Sequence, residues 1–191
     1  MKTLGVGIVL MVALFFCLPY HLYMKQLWKK NPEKSWEKAR RFVSGFFRFE
    51  LKLSGCKVNV IGKENIPQDG PVLFVGNHRS YFDILIYHEA IGKPLGFLAK
   101  KEMEKIPLLP LYMRDIGCLF LDREDIKQGL SVIKQGTEYM KQGHSMVVFP
   151  EGTRNQTDTL LPFREGGYKM AEKSKSPIVP VSICRSDLML E

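Results

Sequence analysis

"PVLFVGNHRSYFDILIYHEAIGKPLGFLAK", Pro71 to Lys100, reads as an apolar run, a polar corner, a helical pattern and a second apolar run. "PVLFVGN" and "LGFLA" have the length and the Gly or Pro boundaries of short buried strands. Between them, Tyr81 to Ile91 carries apolar residues in a helical pattern. The same alternation continues downstream. "CLFLD", "SMVVFP" and "PIVPVSI" read as strands, and in Glu124 to Gln142 the residues Ile126, Leu130, Ile133 and Tyr139 mark one helical face. Upstream, "KVNVIG" also reads as a strand. Strand and helix in alternation predict an α/β domain with a largely parallel central sheet flanked by helices.

The chain of 191 residues suits one domain with a real core, and 25% charged with 45% hydrophobic residues is the composition of a folded protein. A net charge of +8 is unevenly spread. Lys25, Lys29, Lys30, Lys34, Lys38, Arg40, Arg41, Arg48 and Lys52 crowd one stretch opposed only by Glu33, Glu37 and Glu50. Such a patch calls for an anionic partner, nucleic acid or a phospholipid surface. Cys17, Cys56, Cys118 and Cys184 stand singly, without the spacing of a zinc site or a disulfide framework, which suits structural thiols in a reduced compartment.

From Thr3 to Met24 the sequence holds no charged residue if His21 is neutral, about the length of a bilayer span. No small-residue cleavage site follows, so a retained anchor is expected rather than a signal peptide. Pro19 also allows a shorter span or a re-entrant hairpin. The basic flank lies after the anchor, which places the rest of the chain on the cytoplasmic face. In Pro32 to Leu53, Trp36, Phe42, Val43, Phe46, Phe47, Phe49 and Leu53 recur among Lys and Arg. This pattern fits a basic amphipathic helix in the headgroup region, or a helix packed on the domain's own core. The expected division is therefore a membrane-associated helical segment, 1–54, followed by an α/β domain, 55–191.

His78 and Asp83 stand five residues apart, about 140° around a helix, and can meet only if His78 precedes the helix. Ser80 is a good N-cap and Asp83 stands three residues later, in the position of a capping-box acid. The carboxylate can then accept a bond from one ring nitrogen, fix the tautomer and leave the other nitrogen to take a proton. The corner also follows the carboxyl end of a strand, where open α/β sheets place their sites. A metal site is the rival, since His88 lies five residues beyond Asp83. That spacing does not put three ligands on one helical face, so no metal is expected. "VVFPEGTRN", Val147 to Asn155, leaves a strand and presents Glu151, Thr153 and Arg154, either as a solvated turn or as a phosphate-recognising edge. "GCLFLDR" ends a strand in Asp122 and Arg123, and Lys100 with Lys101 ends another. Cations at neighbouring strand ends suggest an anionic substrate, though each alone is an ordinary surface charge.

Together these pieces resemble the glycerolipid acyltransferase family, most closely its 1-acylglycerol-3-phosphate acyltransferases, over Val58 to Ile183. "NHRSYFD", "GCLFLDR", "FPEGTR" and "IVPV" follow the order of the family's four blocks, and "PFREGGYKMA" resembles the segment between the third and fourth. The resemblance implies acyl transfer from acyl-CoA or acyl-carrier protein to the free hydroxyl of lysophosphatidic acid, with no cofactor. It implies His78 as base and Asp83 as its orienter. Lys100, Arg123, Glu151, Gly152, Thr153 and Arg154 would bind the acceptor, and Pro180 would shape the acyl-donor side. Arg164 stands where many relatives have Lys, and the family usually continues past the fourth block, which leaves two alternatives, a domain cut short at its C-terminal end or a short member of the family.

Glycerol-3-phosphate acyltransferases share the same chemistry, and acceptors with other headgroups are the next alternative. A nucleic-acid binder would alternate aromatic and basic residues on strands, whereas here they cluster before the α/β domain. A non-catalytic membrane-tethered scaffold would need neither His78 nor Asp83. Asn155-Gln156-Thr157 matches a glycosylation sequon that a cytoplasmic loop would never present to the machinery.

Overall fold

In the computed structural model, residues 12–157 and 159–189 are described. Five strands, β1 (Leu73–Gly76), β2 (Leu95–Lys100), β3 (Leu119–Leu121), β4 (Ser145–Val148) and β5 (Ile178–Val181), form one sheet in the order β3-β2-β4-β1-β5. Every pairing is parallel, with Phe74 opposite Val147 and Val179, Phe97 opposite Val147, and Ala99 opposite Phe120. The chain runs outward from β1 to β2 and β3, then returns to place β4 in the gap between β1 and β2. Its direction reverses at β1 and β4, so their carboxyl ends form the crevice where such sheets hold ligands.

The helices follow local rules. α1 (Leu18–Lys30) and α2 (Pro32–Leu53) meet at Asn31, whose side chain accepts a bond from the Lys34 amide at 2.9 Å, with Pro32 in the first turn. α3 (Phe82–Ile91) ends at Gly92 in the left-handed region, φ +74. α4 (Leu109–Asp115) precedes β3, while α5 (Ile126–Lys141) is capped by Asp125 and α6 (Tyr168–Ser174) precedes β5. One core joins Val72, Phe74, Tyr87, Phe97 and Val147 to Met24 and Ala39 of the first two helices. The other joins Leu73, Leu119, Ile133, Met140, Met146 and Met170.

Three expectations change. "KVNVIG" forms no strand: Val60 and Ile61 are exposed and have no strand beside them. Alternation makes a segment competent for a sheet, but a strand exists only with a neighbour to bond. The first part of the apolar stretch Thr3–Met24 lies outside the described residues. Its remainder is helical and packed on the domain, with Met24 buried, the Tyr20 hydroxyl donating to the Lys38 carbonyl and His21 Nδ1 2.7 Å from Asp115 Oδ2. Among the described residues no helix is long and apolar enough to cross a membrane, so the expected spanning helix is not found there. α2 packs one face on the domain's own core and leaves another exposed. Trp36, Ala39 and Leu51 are buried, whereas Arg41, Arg48, Phe49, Lys52 and Leu53 face outward. Lastly, the third helix starts at Phe82 rather than beside Ser80.

Candidate active site

β1 delivers Asn77 and His78 past the end of the sheet. The Asn77 side chain continues the pairing with β5 in place of backbone: its Nδ2 donates to the Ile183 carbonyl and its Oδ1 accepts from the Ile183 amide, both at 2.8 Å. The His78 carbonyl in turn accepts from the Asn155 amide at 2.7 Å. The corner is therefore tied on both sides before the side chain is considered.

His78 Nδ1 lies 2.7 Å from Asp83 Oδ2, and Asp83 is fully buried at 0% exposure. The same oxygen accepts from the Arg79 amide at 2.7 Å and the Ser80 amide at 3.0 Å. The acid thus bonds back to the Ser80 amide as a capping-box acid does, but Ser80 Oγ accepts from Phe82 rather than from Asp83. With Nδ1–H donated to the carboxylate, Nε2 is the ring nitrogen left to accept a proton. Phe149, just past β4, stacks on the imidazole at 4.1 Å between centroids and 11° between planes. The ring is held between an anion at its edge and an apolar face.

Cations lie on the neighbouring loops and strand ends. The Arg154 guanidinium lies over the Tyr81 ring, 4.0 Å from its centroid. Gly152 adopts φ +73, and a Cβ there would come within 3.1 Å of Arg164 Nε and 3.6 Å of Arg123 Cζ. Two guanidiniums therefore flank this glycine. Burial and the neighbouring Arg164 charge push Arg123 below its ordinary value. Among the described residues, none of Arg123, Arg154 and Arg164 makes an ion pair with a carboxylate. Lys100 is paired with Glu102 at 2.9 Å, both exposed, and Lys101 with Asp122 at 2.9 Å. Pro180 lies on β5 opposite Val75, beside the strand that carries His78.

Glu151 is turned inward. Its Oε2 accepts from Asn155 Nδ2 at 2.6 Å and from the Leu161 amide at 2.9 Å, while Asn155 Nδ2 also reaches the Thr159 carbonyl. In this structure Glu151 organises the loop after β4, and Gly152, Thr153 and Arg154 form that loop's outer side. Asn155, Arg79, Phe149 and Arg164 escape the motif reading in their present roles. Only Arg164, as a basic residue in a recognisable segment, gave any signal.

His88 faces the core between Phe47 and Phe97, and neither ring nitrogen has a partner among the described residues. Burial pushes it down to about 3. No group of three or more metal-ligating side chains occurs among the described residues.

A family model described as Acyltransferase matches residues 57–184. The chain is 38% identical over 160 residues to a "Probable 1-acyl-sn-glycerol-3-phosphate acyltransferase" of Mycoplasma pneumoniae, covering 81% of this chain and 58% of that protein. It is 34% identical over 136 residues to a 1-acyl-sn-glycerol-3-phosphate acyltransferase of Borreliella burgdorferi, covering 71% and 54%. The chain thus spans little more than half the length of these curated relatives. Its fold is that of the 1-acyl-sn-glycerophosphate (LPA) acyltransferase PlsC of Thermotoga maritima, with a TM-score of 0.67 at 24% identity, covering 98% of this chain and 78% of that one.

Proposed function

The chain belongs to the acyltransferase family, and from that premise we propose that it acylates the sn-2 hydroxyl of 1-acyl-sn-glycerol 3-phosphate, giving phosphatidic acid for phospholipid synthesis. The observation that carries this reading is the His78–Asp83 pair, 2.7 Å apart, with Arg123 and Arg164 beside Gly152 on the loop after the neighbouring strand and, among the described residues, no carboxylate paired with either. His78 Nε2 takes the proton of the acceptor hydroxyl as its oxygen attacks the thioester carbonyl of acyl-CoA or acyl-carrier protein. Asp83 stabilises the imidazolium that forms. The tetrahedral oxyanion collapses, the C–S bond breaks, and the departing thiolate takes the proton back from Nε2. No acyl-enzyme and no cofactor enters; the thioester is a co-substrate.

Arg123, Arg154 and Arg164 receive the acceptor phosphate. A dianion between Arg123 and Arg164 relieves the like-charge contact that disfavours them when empty. Lys100 joins by exchanging Glu102 for phosphate, since an exposed ion pair holds it only weakly. Glu151 sets the loop whose Gly152 and Thr153 line the acceptor, and Pro180 borders the acyl donor. Residues 1–54 hold the 55–191 domain against the cytoplasmic face of a membrane, where this substrate resides. The exposed Phe15, Phe16, Leu22, Tyr23, Phe49 and Leu53 among lysines and arginines support that placement.

Thiol release from acyl-CoA by the purified chain tests this, with lysophosphatidic acid, glycerol 3-phosphate or no acceptor, beside His78→Ala. Release that needs lysophosphatidic acid and vanishes in His78→Ala is expected. Release with glycerol 3-phosphate alone would transfer the assignment to that acceptor, and release unaffected by His78→Ala would refute the mechanism.

A further inference from the structure

Arg79 adjoins the base, and its side chain binds two segments remote in sequence. Nε and Nη2 donate to Asp187 Oδ1 and Oδ2, both at 3.0 Å, as a bidentate fork. Nη1 reaches the Thr157 carbonyl at 3.2 Å and Nη2 the Gln156 carbonyl at 3.3 Å. The loop after β4 and the turn at Ser186–Met189 are thus drawn onto the corner that carries His78. The same residue's amide is one of three donors to Asp83 Oδ2. All three reach one oxygen, while Asp83 Oδ1 has no partner among the described residues. The rotation of this buried carboxylate therefore depends on where those donors stand.

We propose that Arg79, clamped by Asp187, is a positioning residue: its side chain holds the Arg79 amide where it aims Asp83 at His78. The inference rests on His78 acting as the base. The chain of effect runs from a turn near residue 187, through a guanidinium, along one residue's backbone, to the imidazole tautomer. The pair is mostly shielded from solvent, with side chains 20% and 16% exposed. Asp187 is held below the ordinary carboxylate range, first by its bond from Arg79.

The test uses Arg79→Lys, which keeps the charge but not the fork, Asp187→Ala at the outer turn, and the double variant. Each single variant is expected to lower kcat about 10- to 100-fold, the scale of a misplaced reacting group, with both KM values within about twofold. The double variant should be no worse than the worse single one. The downfield proton resonance of the His78 Nδ1–H bond, identified by its absence in His78→Ala, should broaden or vanish in both variants. A kcat within about twofold of the parent, additive losses, a change in KM alone, or an unaltered resonance would each overturn the proposal. Were Arg79→Lys unfolded, Asp187→Ala would decide. If the parent showed no His78-dependent thiol release, the base assignment would fail, and the resonance would still report whether the clamp sets the pair.

Discussion

Asp83→Asn replaces one buried oxygen by an amide and removes one charge while nearly preserving shape. In the parent, Asp83 Oδ2 accepts three N–H bonds, one of them from His78 Nδ1 at 2.7 Å. The asparagine oxygen can take over those bonds, so the corner should fold, while its Nδ2 takes the place of Oδ1, which has no partner among the described residues, so Tm should fall by the equivalent of about 1–3 kcal/mol. The charge matters when His78 takes the proton. Two unit charges about 4 Å apart in an effective dielectric of about 20 attract by about 4 kcal/mol. Part of this survives as a dipole contact, so a loss of about 3 to 4 kcal/mol of transition-state stabilisation is expected, or about 10²- to 10³-fold in kcat. Steady-state thiol release at saturating donor and acceptor, beside a thermal melt of the same sample, measures both quantities. A folded Asp83→Asn protein keeping kcat within about fivefold of the parent would refute the role given to the carboxylate.

Arg123→Ala and Arg164→Ala should each raise KM for a phosphorylated acceptor about tenfold or more, the scale of a lost charged hydrogen bond, with KM for the thioester unchanged; equal effects on both substrates would contradict the phosphate assignment. Gly76→Ala would place a Cβ 2.0 Å from the Tyr87 hydroxyl and 2.8 Å from the Val181 carbonyl. It should cost about 1–3 kcal/mol in denaturant unfolding, only partly recovered by adding Tyr87→Phe because the carbonyl remains. Burial pushes His88 and His144 each down to about 3. Their folded values lie below the unfolded value of about 6.5, so the unfolded chain binds more protons. Their contribution is complete above about pH 6.5 and is lost as pH falls toward 3, at up to about 1.4 kcal/mol per pH unit for each histidine. Urea midpoints at pH 7 and pH 5 should therefore differ, less so in His88→Leu, and equal slopes in parent and variant would exclude His88 as a contributor.

The His78–Asp83 contact was legible because it spans five residues at a strand-to-helix corner, where capping rules and chain geometry leave few arrangements. The roles of Phe149 and Glu151 were not. Phe149 meets His78 because β4 enters the sheet beside β1, a placement no local pattern specifies. Glu151 looked like an outward charge at a strand exit, yet a buried Asn155 four residues on gave it a reason to turn inward. Arg123 and Arg164 come together only when β3 and the loop before α6 converge on Gly152.

From the sequence alone came what short-range physics decides: which segments are strands or helices, that the sheet is parallel, and that a histidine and an acid share one corner. Tertiary structure decided the strand order β3-β2-β4-β1-β5, and with it which residues surround that corner. It also denied "KVNVIG" a place in the sheet, seated the second half of the apolar N-terminal stretch on the domain, and joined Arg79 to Asp187, 108 residues away. Periodicity reports which face of an element is buried. Which neighbour buries it depends on contacts between segments far apart in the chain, and those exist only once the sheet has closed.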